Sequence, residues 1–263
     1  MIHLRRHLLF CTLSGLGPWT GVQAADPFDD DPFQSGVWPE MKREYLGHDA
    51  RVVFDDRGAV LGPGSADDPA NEPIGVRVQG LAGVEQIMVL VDRNPIRKVL
   101  DYFPLAALPR LAFRFKLEQT SIVRAAARTG DGVWHVGGIR VESSGGGCTV
   151  PGGTRRDGSW IDTLGQASAR VFPSSPALGD AGARLRLRVM HPMDTGLVAG
   201  IPAFYVNRLS LRDADDHELA RLATFEPVSE NPVFSFDFAQ APRGPLRIVG
   251  FDNNGNRIDL QVP

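Results

Sequence analysis

The sequence predicts an all-β protein: two immunoglobulin-like β-sandwich domains in tandem, joined by a Gly-rich, cysteine-bearing loop. Three observations predict it. Leu111, Phe113, Phe115 and Leu117 alternate with Arg110, Ala112, Arg114, Lys116 and Glu118, which gives a half-buried strand with one apolar and one charged face. Gly (29) and Pro (20) are plentiful in 263 residues and helical periodicity is nearly absent, which suits short strands joined by turns. An aperiodic stretch, Ser143 to Gly165, divides two sets of strands, each about the size of an immunoglobulin-like domain.

Residues 1–24 read as an export signal. Arg5 and Arg6 precede an apolar run from Leu8 to Leu16, and Val22-Gln23-Ala24 offers a small-x-small cleavage pattern. The run is too short to span a bilayer. The expected location is therefore periplasmic, and Cys11 would leave with the signal.

Residues 25–142 form the first domain. Its N-terminal arm, Asp26 to Pro39, is acidic and expected to be mobile, with Asp29, Asp30 and Asp31 solvated. Pro39 opens a short helix through Tyr45. Strands follow over Ile74 to Val78, Gln86 to Val91, Ser121 to Arg128 and Val133 to Val141, with a hairpin turn at Thr129-Gly130-Asp131-Gly132. Residues 143–166 are the loop and linker. Residues 167–263 form the second domain: Leu185, Leu187 and Val189 alternate with arginines, strands cover Phe204 to Leu211, Val233 to Phe238 and Leu246 to Phe251, and Asp252-Asn253-Asn254-Gly255 makes a tight turn.

Cleavage of the signal leaves Cys148 as the one cysteine. An unpaired cysteine in an oxidising compartment points to a reactive thiol or an intermolecular bond. Gly145, Gly146 and Gly147 precede it. Glycines remove side chains that would block a narrow cleft, and they free the backbone, so they read as a flexible arm. Extended from Ser143, it would carry the thiol roughly 15–18 Å, at about 3.3–3.6 Å per residue. No neighbour in sequence clearly activates the thiol. A linker with an incidental cysteine and a disulfide-linked homodimer are the alternatives.

Other sites weigh less. Met190-His191-Pro192-Met193 offers soft ligands, but without a second cluster it reads as packing at a strand end, so no metal and no cofactor are expected. His48, His135 and His217 are isolated. Net charge is −3 with 22% charged residues, giving no bias toward nucleic acid or membrane. No Gly-x-Ser-x-Gly, HExxH, phosphate loop or Cys-x-x-Cys is present, so nothing supports an enzyme.

Thr120 to Ala125, Gly130-Asp131-Gly132, Val141 and Gly-Gly-Gly-Cys148 together resemble the C-terminal part of SoxY. His191-Pro192-Met193-Asp194-Thr195-Gly196, Ile201-Pro202-Ala203, Val228-Ser229-Glu230-Asn231-Pro232 and Asp252 to Gly255 resemble SoxZ. The resemblance runs from about Trp38 onward. It implies immunoglobulin-like sandwiches that pair with one another, and a non-enzymatic carrier whose cysteine holds sulfur intermediates for thiosulfate-oxidation enzymes. That role falls on Cys148, with Gly145, Gly146 and Gly147 as its arm. Here the two parts are fused and the cysteine is internal, followed by Thr149-Val150, which shortens its reach. The fused layout is similar to SoxYZ-like carriers associated with quinoprotein (PQQ-dependent) dehydrogenases. The implied partners are periplasmic redox enzymes of the sulfur-oxidation type or a PQQ dehydrogenase and its cytochrome; a non-covalent accessory role is the alternative. The fusion keeps the two domains at an effective concentration of order mM, so they are expected to pack together with the cysteine loop outside.

Overall fold

The computed structural model describes residues 31–156, 158–173, 175 and 179–263. The expected export signal, Asp29 and Asp30 lie outside the described residues. The first half supplies β1 (Val52–Phe54), β2 (Gly58–Leu61), β3 (Glu72–Val78), β4 (Val84–Val91), β5 (Lys98–Phe103), β6 (Arg110–Phe115), β7 (Ser121–Thr129) and β8 (Trp134–Val141). The second supplies β9 (Ala167–Pro173), β10 (Ala183–Val189), β11 (Val206–Arg212), β12 (Glu218–Thr224), β13 (Val233–Phe238), β14 (Leu246–Asp252) and β15 (Arg257–Val262).

The all-β class holds, and the two sandwiches are joined edge to edge. One sheet has nine strands in the order β1-β8-β7-β4-β5-β12-β11-β14-β15; the facing sheet has six, β2-β3-β6-β13-β10-β9. In the first sheet β5 pairs antiparallel with β12, placing Tyr102 opposite Leu222. In the second β6 pairs with β13, placing Leu111 opposite Phe236. Both layers therefore cross from one half to the other by backbone hydrogen bonds. The apolar side chains between them form one core that includes Phe113, Phe115 and Tyr102 from the first half and Leu222, Phe234 and Phe236 from the second. Each such buried side chain contributes about 1.5–3 kcal/mol relative to exposure. The Tyr102 hydroxyl stays satisfied at the seam by donating to the Leu108 carbonyl at 2.8 Å.

The hairpin turn expected at Thr129 to Gly132 closes β7 onto β8: the Gly132 N–H donates to the Thr129 carbonyl, and Gly132 takes a φ of 80°, which favours glycine. The turn at Asp252 to Gly255 closes β14 onto β15, with Asp252 accepting the N–H groups of Asn254 and Asn256.

From Asp31 onward the N-terminal arm departs from the expectation of mobility. A helical turn, α1 (Trp38–Met41), has Pro39 in its first turn and runs on into a π-helical turn through Leu46. Trp38 and Met41 pack with Met88, Leu90, Ala126 and Trp134 in a second apolar cluster. Asp31, expected to be solvated, is buried: both its oxygens accept from Arg124 at 2.8 and 2.9 Å. Asp92 takes the remaining face of the guanidinium at 2.7 and 2.8 Å. Phe33 and Trp38 cover Arg124 at 5.1 and 4.5 Å. A guanidinium already buried on β7 needs carboxylates to remain charged there, and Asp31 supplies the second. Burial pushes the Asp31 carboxyl up, yet the bonds from Arg124 and from the Ser35 and Phe33 N–H groups prevail and hold it below its ordinary value.

Candidate functional site

Cys148 lies between the two halves, in a cradle assembled from both. It follows β8 and is 1% exposed. The end of β6 runs on through Lys116 to Glu118, and this segment holds the cysteine from one side. The Cys148 N–H donates to Glu118 Oε2 at 2.8 Å, Thr149 Oγ1 donates to Glu118 Oε1 at 2.9 Å, and the thiol points at the Lys116 carbonyl at 3.6 Å. From the second half, Thr195 Oγ1 donates to the Cys148 carbonyl at 2.7 Å.

The three glycines have specific shapes to satisfy. Gly145 and Gly146 sit at φ of 94° and 86°, where other residues are strained. Gly147 packs so closely that a Cβ would fall 2.2 Å from the Pro69 carbonyl oxygen and 2.6 Å from that of Leu117. In this structure Gly145, Gly146 and Gly147 are thus a folded wedge, and the expectation of a free arm outside the domains is corrected. Close backbone packing, with hydrogen bonds to Glu118, replaces the solvent contact that mobility needs.

The rest of the linker is likewise pinned. Glu230 accepts the N–H groups of Gly153 and Thr154 at 3.2 and 2.9 Å, and Asn231 donates to Thr154 Oγ1 at 3.0 Å. Arg155 donates to Asp194 at 2.7 Å and stacks on Trp160 at 4.5 Å, within the short helix α2 (Trp160–Thr163). Arg155 is thereby committed to Asp194.

The electrostatics protect the thiol. Burial first, then the Glu118 carboxylate, push Cys148 up to about 12, and the Lys116 ammonium opposes them incompletely. Lys116 is buried too, its Nζ donating to the Met193 carbonyl, and desolvation holds it below its ordinary value. In this closed form Cys148 is a protonated thiol and a poor nucleophile.

The other sequence candidates are placed elsewhere. His191 is buried; its Nδ1 accepts the Met193 N–H at 3.0 Å and its ring lies 4.4 Å from Phe204. Burial lowers it to about 4, so it is a neutral packing residue. His135 bonds Asp55 at 3.0 Å, while His48 and His217 are exposed beside Asp49 and Asp213. Sequence reasoning passed over Lys116, Glu118 and Thr195 as contacts of the cysteine. Lys116 and Glu118 read as the solvent face of a strand, and Thr195 gave no signal apart from its place in the SoxZ-like box.

Comparison with known families matches residues 42–148 to the sulfur oxidation protein SoxY and residues 173–262 to the sulphur oxidation protein SoxZ. The chain belongs to these families, as a SoxY–SoxZ fusion. The SoxY match ends on Cys148 itself. Among solved structures, the fusion is similar to the sulfur carrier protein SoxY from Chlorobium limicola f thiosulfatophilum, with 15% identity over 40% of this chain and 90% of that one and a TM-score of 0.35. A beta-glycosidase from Bacteroides vulgatus is similar at 9% identity, over 79% of this chain and 25% of that one, with a TM-score of 0.25. Both scores are too low to add to the assignment. No curated protein sequence matches the chain significantly.

Proposed function

We propose that this SoxY–SoxZ fusion is a non-catalytic periplasmic carrier that holds a sulfur adduct on Cys148, shelters it in the closed cradle, and presents it to redox enzymes when the segment from Ser143 to Thr149 lifts. The observation that carries this reading is the position of the cysteine: it is the last residue of the SoxY match and lies where both halves touch it. A cradle of a few hydrogen bonds is a better device for protecting a labile adduct than for turnover, since among the described residues the sulfur's hydrogen bond is to the Lys116 carbonyl and not to a side-chain base. Forming a sulfur–sulfur bond oxidises the thiol by two electrons and releases its proton, so an external acceptor, such as a cytochrome of a sulfur-oxidation or PQQ-dependent dehydrogenase system, must take the electrons. Intact-mass analysis of protein isolated from its native host tests the proposal. The expected result is a sulfur-containing mass increment lost on reduction and absent from Cys148→Ala; unmodified Cys148 during active sulfur oxidation would count against it.

Burial of the thiol favours a second reading, a non-covalent accessory module for a dehydrogenase in which Cys148 only packs the seam. Under that reading Cys148→Ala sustains the pathway fully.

A further inference from the structure

We propose that the outer face of the six-stranded sheet is a docking trough for an acidic segment of a partner protein. The proposal goes beyond the carrier reading and stands whether or not Cys148 carries cargo.

The trough has a volume of about 600 Å³ and crosses the seam between the halves. Its floor is a row of small residues in register across three strands: Gly75 opposite Ala112, and Ala112 opposite Ser235. Continuing that row, Ser235 faces Arg186, which faces Arg170. Small side chains in the middle and arginines at the flank leave a channel with a basic wall.

The charges divide into two sets. Arg184 is bound by Asp237 at 2.6 and 2.9 Å, and Arg77 and Arg110 both reach Asp180. Arg114, Arg170, Arg186 and Arg188 are exposed and, among the described residues, have no carboxylate partner. Four cations without a direct ion pair among the described residues, on one face of a chain of net charge −3, are a marked segregation. Stability does not explain it. Like charges directly opposite on neighbouring strands are destabilising, and Arg186 and Arg170 are such a pair.

The occupant follows from shape and charge. The channel is far larger than a single inorganic anion, and guanidinium groups match carboxylates with paired hydrogen bonds. A uniformly charged polyphosphate is disfavoured because Asp237, Asp68 and Glu230 line the adjoining hollows. An extended chain with carboxylates at alternate positions fits both features. The hollow beside Arg188 is also lined by Ala70 and Glu230. Ala70 adjoins Pro69, which backs Gly147, and Glu230 grips the linker after Cys148. A docked segment would therefore lie along the wall of the cysteine cradle.

The test is fluorescence anisotropy at low ionic strength with a labelled peptide of about twelve residues, alternating Glu and Ser, long enough when extended to cross the channel. Wild-type protein should bind it, and Arg186→Ala with Arg188→Ala should weaken binding by about tenfold with a melting temperature no lower than wild type's, since the Arg186–Arg170 repulsion is relieved. Arg43→Ala, an exposed arginine on the N-terminal helical turn, should change it by less than about twofold. Equal binding by the double variant, or equal binding of the matching Gln–Ser peptide, would overturn the proposal. So would tighter binding of an oligonucleotide, or displacement by sulfate beyond the effect of chloride at the same ionic strength. None of these readouts involves the thiol, so failure here leaves the carrier reading intact.

Discussion

The clasp on Cys148 can be opened by one substitution, and the size of the effect follows from the bonds removed. Glu118 accepts the Cys148 N–H and the Thr149 hydroxyl. Glu118→Ala deletes both acceptors and leaves the N–H of a buried residue without a partner. Losing one such charge-assisted bond costs about 2 kcal/mol, a shift of about thirtyfold toward the lifted segment. Thiol labelling under native conditions reads this equilibrium, because the reagent attacks only the lifted form. In wild type the closed thiol is buried and pushed up to about 12, so only the lifted form reacts and labelling should be markedly slower than in urea. Glu118→Ala should then label about thirty times faster than wild type with an unchanged circular dichroism spectrum. Glu118→Gln, which retains one acceptor and loses the charge, should fall between the two. Wild-type labelling at the unfolded rate, or Glu118→Ala labelling within about threefold of wild type, would refute the reasoning.

Gly147→Ala should also accelerate labelling, since its Cβ has no room against Pro69 and Leu117 and must push the segment outward; an unchanged labelling rate would contradict the packing. Arg124→Ala strands two buried carboxylates, Asp31 and Asp92, and should lower the unfolding free energy by about 3–5 kcal/mol in a denaturant titration. The Cys148 thiol, raised in the fold, contributes stability that is intact below about pH 8.5 and lost as pH climbs toward about 12, at about 1.4 kcal/mol per unit within that window. Lys116, lowered in the fold, runs the opposite way, and Cys148→Ala, which removes the thiol and its pull on Lys116 together, should flatten the alkaline decline. Glu72, raised to about 7 by burial and then by Asp67 and Asp68, favours the fold fully below its ordinary range and progressively less up to neutrality. Glu72→Gln should accordingly raise the melting temperature at pH 8 and not at pH 4.

Strands with one wet face were legible in the sequence. β6, β10 and β13 alternate as expected because their arginines and small residues face outward over the core. The strands that join the halves in the nine-stranded sheet were not. In β5, Val99, Leu100, Asp101 and Tyr102 are all buried, so no alternation marks it. β12, Glu-Leu-Ala-Arg-Leu-Ala-Thr, is rich in residues that favour helix, and only its place between β5 and β11 makes it a strand. Missing those two hid the continuity of the nine-stranded sheet. At the site, the cysteine and its glycines were legible as unusual, yet glycine serves mobility and tight packing through the same missing side chain. Partners distant in sequence decide between them, and Pro69, Glu118 and Thr195 decide for packing. The same holds for Asp31, whose burial depends on Arg124 ninety-three positions away.

Two backbone ladders, one in each layer, bolt the SoxY part to the SoxZ part. Nodding or twisting of one part against the other would have to rip both, so this protein has no place for a hinge between them. Cutting them apart would bare four raw strand margins, from β5, β6, β12 and β13, inviting adhesion between molecules. The fused body should thus behave as a stiff slab, and any motion that uncovers the sulfur must be confined to the small flap that covers it.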